Sequence, residues 1–202
     1  MTLPNILTIS RVPLMFVVVG LMYADFSWCA TLAFWLYIAA ALTDWLDGLL
    51  ARRANQVSAF GRFMDAVIDK VMVLGLMIAL TNRGYFTFAG SDYTITAVML
   101  LLCILAREFA ISGMRMAAAM RGIAIEADTG GKVKTFTQLN AIGWLLGAKM
   151  FEHDWAEIFP PSDRVIITVI HNIGLGLFVL SAVLTITSGF SYFKRHGHVV
   201  MD

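Results

Sequence analysis

Charge is scarce in this chain. Asp, Glu, Lys and Arg make up 14% of its 202 residues, against roughly a quarter in a soluble domain. Hydrophobic residues make up 59%, and mean hydropathy is +0.76. This balance excludes an ordinary water-soluble enzyme and points to an integral membrane protein of one domain. Neither sign of charge prevails, and a net charge of +1 gives no reason to expect nucleic-acid binding. Cysteine is nearly absent. Cys29 and Cys103 lie in or beside different apolar runs without metal-ligand spacing, which excludes a disulfide framework and leaves both as packing residues. Basic residues are missing ahead of the first apolar run, so no cleavable signal is expected. Repeats, low-complexity stretches and a second domain are missing as well. Histidine offers no metal cluster: His196 and His198 have no acids beside them and read as interfacial, while His153 and His171 read as packing or hydrogen-bonding residues.

What is abundant is apolar sequence in long runs. Stretches long enough to cross a bilayer, near 20 residues each, fall at about 6–24, 30–50, 61–81, 94–119, 135–151 and 165–189. The expectation is an all-α protein of six transmembrane helices with both termini on one side. Lys and Arg choose that side. Arg11, Arg52, Arg53, Arg62, Arg115, Arg121, Lys132, Lys134, Lys194 and Arg195 fall on the N-terminus, two loops and the tail. The opposite loops hold Arg83 and Arg164, with Lys149 near the edge. Positive-inside bias makes the first set cytoplasmic. The first run is interrupted by Arg11, which fits a juxtamembrane Thr2–Ser10 segment lying along the interface. Arg11 then either reaches the cytoplasmic surface or turns into a polar cavity. Gly143, Gly147 and Gly174 offer close helix contacts, a dimer seam among them.

Four carboxylates stand out against this background: Asp44 and Asp47 near the end of the second run, Asp65 and Asp69 near the start of the third. An ionisable group near the bilayer centre costs about 2.5–3.5 kcal/mol on insertion scales, so four acids require cations among them. Residues three and four apart share a helix face. Asp44, Asp47, Gly48 and Ala51 therefore form one stripe and Gly61, Asp65 and Asp69 another, able to face each other across an antiparallel helix pair. Hard oxygen donors without His or Cys suit Mg²⁺ or Mn²⁺, and four carboxylates favour two ions. Gly48, Ala51 and Gly61 leave a smooth wall beside the acids, and Arg52 is placed to meet an anion. Together these features describe a diphosphate site. The plainer alternative is a polar clasp in which the acids pair with Lys70, Arg107 or loop arginines. It accounts for one or two carboxylates, not for four beside three small residues.

The spacing D-x2-D-G-x2-A-R-x8-G-x3-D-x3-D, present here from Asp44 to Asp69, resembles the signature of the CDP-alcohol phosphotransferases at every position. The resemblance implies a six-helix membrane fold, a homodimer, two divalent cations, and displacement of CMP from a CDP-linked donor by an alcohol. It also implies that Asp44, Asp47 and Asp65 bind metal and that Asp69 both contacts metal and acts as general base. Gly48, Ala51, Arg52 and Gly61 would line the CDP pocket. One position departs from many relatives: Ala66 follows Asp65 where they have proline.

Flanking segments narrow the branch. Pro4 to Arg11, Thr43 to Gly48, Asp69-Lys70-Val71, Ala106 to Ser112 and Gly131 to Thr135 are similar to segments of the bacterial phosphatidylglycerophosphate synthases. This resemblance implies CDP-diacylglycerol as donor, glycerol 3-phosphate as acceptor, Asn5 and Thr8 at the CDP site, and a place in the cell's inner (cytoplasmic) membrane. The residues themselves suggest an anionic acceptor, because Arg107, Arg115, Lys132 and Lys134 gather on the fourth span's cytoplasmic half and the loop after it. With Arg11 they form a candidate phosphate clamp. The alternative is ordinary loop charge plus an Arg107–Glu108 or Arg107–Asp69 pair. The 121–131 segment differs between relatives, which leaves serine, inositol or its phosphate, and phosphatidylglycerol open as other acceptors. A cation transporter would need polar groups through the midplane, whereas these acids cluster at one end. A non-catalytic adaptor has no use for them.

Overall fold

The computed structural model describes residues 3–53, 59–88, 90–123, 129–158 and 164–197, with side chains at 10–43, 67–88, 90–123, 133–158 and 164–197. Its order is α1 (Leu3–Tyr23), α2 (Cys29–Arg53), α3 (Ala59–Asn82), β1 (Thr87–Phe88), β2 (Ser91–Asp92), α4 (Thr94–Met120), α5 (Thr129–His153) and α6 (Arg164–His196). Each apolar run expected from the sequence falls on one helix. At about 1.5 Å per residue the shortest helix already matches the thickness of a hydrocarbon core. By length and composition α4 and α6 qualify as membrane-crossing, with mean hydropathy 2.0 and 2.1; Ser10–Tyr23 and Cys29–Thr43 are shorter apolar stretches.

The juxtamembrane segment is not set off from the first run. Helix α1 continues through both, with Pro13 inside it. Arg11 takes the inward of its two options, at 2% exposure. The β1–β2 hairpin pairs Thr87 with Asp92 and Phe88 with Ser91, a small departure from an all-helical reading. Asp92 Oδ1 accepts the Thr94 N–H at 2.8 Å, satisfying one of the donors left open at the start of α4. Gly84 and Gly122, at φ +72° and +76°, let the chain leave α3 and α4 in the left-handed conformation that side chains resist.

The most extensive packing is α5 on α6, followed by α1 on α2 and α1 on α3; α2 packs on α5, and α4 on α6. Val18, Leu76, Met77, Leu80, Ile104, Ile142, Leu145, Leu146 and Phe178 fill the centre. Phe16, Trp35, Ile95, Phe109, Met120, Phe136 and Phe190 face outward, an apolar surface that suits lipid better than water. The glycines offered as contact points are used within the chain. A Cβ at Gly147 would meet the Phe34 ring at 3.3 Å, at Gly143 the Tyr37 ring at 3.4 Å, and at Gly174 the Leu145 side chain at 2.9 Å. Close approach of α5 to α2 and α6 explains all three positions. Cys29 is buried as expected, but Cys103 is exposed on α4 and so is not a packing residue.

The end of the bundle away from the aspartate-bearing segments is tied by Asp154. Its Oδ2 accepts the Thr31 N–H at 2.6 Å and the Thr31 hydroxyl at 2.8 Å, and its Oδ1 meets His153 Nδ1 at 2.7 Å. A carboxylate from beyond α5 thus serves as the N-terminal cap of α2. Nearby, His171 Nε2 meets the Tyr85 carbonyl at 2.8 Å, the hydrogen-bonding role expected of it.

Candidate active site

Of the four acids, Asp44 and Asp47 lie on α2 and Asp65 and Asp69 on α3, at the ends nearest the connection between the helices. The side chains of Asp44, Asp47, Gly48, Ala51, Arg52, Gly61 and Asp65 lie outside the described residues, as do those of Asn5, Thr8 and Lys132. Whether the two stripes face each other therefore lies outside them too. Asp69 is described and is half-buried.

Around Asp69 four further helices bring polar groups into an otherwise apolar bundle. Next to it on α3, Lys70 Nζ donates to Ser112 Oγ of α4. From α4, Arg107 Nη1 donates to Glu108 Oε1 at 3.0 Å and Nη2 to Ser188 Oγ of α6 at 3.0 Å. From α5, Lys134 Nζ donates to the same Glu108 oxygen. Glu108 therefore bridges two cations on two helices. The side chains of Arg107, Glu108 and Lys134 are only 13%, 14% and 6% exposed. Lys134 lies within electrostatic reach of Arg107, Lys70 and Asp69, and Lys70 within reach of Arg115, Asp69 and Arg107. On α2, the buried Tyr37 donates its hydroxyl to the Leu139 carbonyl at 2.6 Å and feels the charge of Asp69.

Two acids, three buried or half-buried cations and an exposed arginine thus converge from α3, α4 and α5, with α6 closing the side. The pairing of Arg107 with Glu108, set out from the sequence as an alternative to phosphate binding, is present. It extends to Lys134, which Glu108 also holds. Arg11 is buried on α1, whose main packing partners are α2 and α3.

Sequence reasoning missed the contribution of α6. Ser181 and Thr185 are fully buried, Gly189 is buried and Ser188 partly so. Their hydroxyls back-bond within the helix, Thr185 to the Ser181 carbonyl at 2.6 Å and Ser188 to the Thr185 carbonyl at 3.1 Å. The signal was legible: 181, 185, 188 and 189 recur at helical spacing and put small polar residues on one face of an apolar span.

The sequence profile of the CDP-alcohol phosphatidyltransferase family matches residues 1–188. The chain belongs to this family. That is the family expected from the Asp44–Asp69 signature, and the match also takes in α4, α5 and most of α6. Among individual relatives, the chain is 34% identical over 202 residues to the CDP-diacylglycerol–glycerol-3-phosphate 3-phosphatidyltransferase of Salmonella choleraesuis (strain SC-B67), covering 99% of this chain and 97% of that one. It is 33% identical over 205 residues to the chloroplastic/mitochondrial enzyme 1 of the same name from Arabidopsis thaliana, spanning 100% of this chain and 64% of the relative. It is 30% identical to a cardiolipin synthase (CMP-forming) of Oryza sativa subsp. japonica, spanning 59% of that protein.

Proposed function

We propose that this protein transfers a phosphatidyl group from CDP-diacylglycerol to glycerol 3-phosphate, releasing CMP and phosphatidylglycerophosphate. The observation that carries the reading is the convergence of Arg107 and Lys134 on Glu108 within electrostatic reach of Asp69. A general base and a set of cations for an anionic acceptor then lie in one polar cluster of the bundle. The names of the Salmonella and Arabidopsis relatives support the same donor and acceptor.

Donor and acceptor have separate places in this reading. Asn5, Thr8, Gly48, Ala51, Arg52 and Gly61 line the CDP pocket. Arg107, Arg115, Lys132 and Lys134, with Arg11, receive the acceptor phosphate. Asp69 takes the proton from the acceptor hydroxyl as that oxygen attacks the β-phosphorus of the donor and CMP departs. Holding the acceptor by its phosphate presents its hydroxyl to Asp69 and reduces the freedom lost in reaching the transition state. An all-carboxylate donor set fits hard divalent cations. Asp44, Asp47, Asp65 and Asp69 would hold two such ions, Mg²⁺ or Mn²⁺, whose charge neutralises the diphosphate.

The six helices form one membrane domain of six spans in the cell's inner membrane, with the site and both termini cytoplasmic, as the placement of Lys and Arg supports. The lipid tails of the donor then stay in the bilayer while the acceptor enters from water. A homodimer is expected from the family. The rice relative keeps a second acceptor, phosphatidylglycerol, in view; the buried cations favour the more highly charged phosphate monoester. Purified protein given CDP-diacylglycerol and Mg²⁺ should release CMP when glycerol 3-phosphate is supplied. Release with serine, inositol or phosphatidylglycerol, and none with glycerol 3-phosphate, overturns the acceptor.

A further inference from the structure

We propose that the Ser188–Gly189 pair of α6 is the seat of Arg107, a positioning device that governs how tightly the acceptor phosphate is held. It rests on the assignment of Arg107 to that phosphate made above.

Adjacent residues on a helix project about 100° apart and do not face each other. Arg107 and Glu108 are adjacent on α4, yet Arg107 Nη1 reaches Glu108 Oε1 at 3.0 Å. The Arg107 side chain therefore bends around its own helix toward Glu108. The stem swings over α6 at Gly189. A Cβ there would stand 2.6 Å from Arg107 Cγ, 3.2 Å from Nε and 3.5 Å from Cδ. Carbon atoms pack best at about 3.5–4.0 Å, so a single methyl group would occupy the place of the stem. Cγ lies near the root of the side chain, and moving the guanidinium alone does not relieve the overlap. Glycine inside a helix is less favourable than alanine by about 1 kcal/mol, which makes its presence here informative.

Ser188 adds direction. Its hydroxyl donates to the Thr185 carbonyl at 3.1 Å, so the oxygen that meets Arg107 Nη2 at 3.0 Å does so as an acceptor. Thr185 is itself held, donating to the Ser181 carbonyl at 2.6 Å and accepting from Gln138 Nε2 of α5 at 3.5 Å. Arg107 is thus fixed through its stem by Gly189, through one nitrogen by Ser188 and through the other by Glu108. A residue of the sixth helix would set the geometry of an acceptor ligand on the fourth.

The test is a set of double-mutant cycles read by CMP release, with CDP-diacylglycerol and glycerol 3-phosphate varied in turn. Gly189→Ala should raise the acceptor KM about tenfold or more, the size of one charge-assisted hydrogen bond, and move the donor KM less than about twofold. Ser188→Ala, which adds no volume and keeps the helix intact, should raise the acceptor KM by roughly threefold to tenfold. In an Arg107→Ala background neither substitution should have a further effect, because the stem and guanidinium they act on are gone. A raised acceptor KM in Arg107→Ala with wild-type values in both α6 variants overturns the seat alone. The same penalty with and without Arg107 also overturns it and assigns the pair to helix packing. An unchanged acceptor KM in Arg107→Ala overturns the role of Arg107 and the seat with it.

Discussion

Replacing Glu108 by glutamine keeps the size of the side chain and removes the charge that Arg107 and Lys134 share. Both cations are largely shielded, at 13% and 6% exposure, and Glu108 itself is 14% exposed. Removing one member of a fully buried pair costs about 3–5 kcal/mol, since the remaining charge stays buried without compensation. Here two cations would be left facing each other, but the cluster keeps some contact with water. A loss somewhat below that range, about 2–3 kcal/mol, is therefore expected. For a chain of this length that corresponds to a fall in Tm of roughly 5–10 °C. The cysteines supply the assay. Cys29 is buried and Cys103 exposed, so in a Cys103→Ser background a thiol-reactive dye reports unfolding through Cys29 alone. Adding Lys134→Met to Glu108→Gln should recover part of the loss by removing one stranded cation, a coupling that independent sites do not show. A Glu108→Gln protein that melts within about 2 °C of wild type, or a double variant no better than the single one, refutes the reading of Glu108 as the bridge.

Asp69→Asn should abolish turnover while sparing CDP-diacylglycerol binding; unimpaired CMP release would remove Asp69 from the role of base. Lys134→Ala should raise the acceptor KM more than the donor KM, and a change in donor KM alone would move Lys134 to the CDP pocket. Chelation of divalent ions should stop CMP release, and Mg²⁺ or Mn²⁺ should restore it; activity that survives chelation contradicts the carboxylate reading. At the opposite end, burial of the Asp154 carboxylate works against ionisation, but hydrogen bonds from His153 and from the Thr31 N–H and hydroxyl outweigh it and hold its pKa below the usual carboxylate value. A carboxyl whose pKa is lower folded than unfolded stabilises the fold at neutral pH, and the contribution fades as pH falls below about 4. Asp154→Asn should therefore flatten the loss of Tm between about pH 5 and about pH 3, and a slope equal to wild type counts against the clasp.

Much of this protein is legible without coordinates. Its helices follow from apolar runs of bilayer length, because in lipid the backbone must satisfy its own hydrogen bonds. The family follows from carboxylates and small residues at fixed spacing between Asp44 and Asp69. Less legible was the fate of individual apolar and small residues. Cys103 reads as a packing residue and is exposed, while Gly143, Gly147 and Gly174 offer close helix contacts whose partners, α2 for the first two and α5 for the third, only the packing names. In a soluble protein a helix's polar face shows which way it is turned. In a membrane both core and lipid are apolar, so hydropathy does not fix the rotation of a helix about its axis.

That rotation is what the tertiary structure decided. By itself the sequence determined the membrane class, the helices, the family and the presence of acids and bases suited to a diphosphate and an anionic acceptor. It did not determine that Glu108 would join Arg107 to Lys134, or that Gly189 would make room for the Arg107 stem. Residues 108 and 134 lie on different helices, as do 107 and 189, and each pair meets only when α4, α5 and α6 are packed at one rotation and depth.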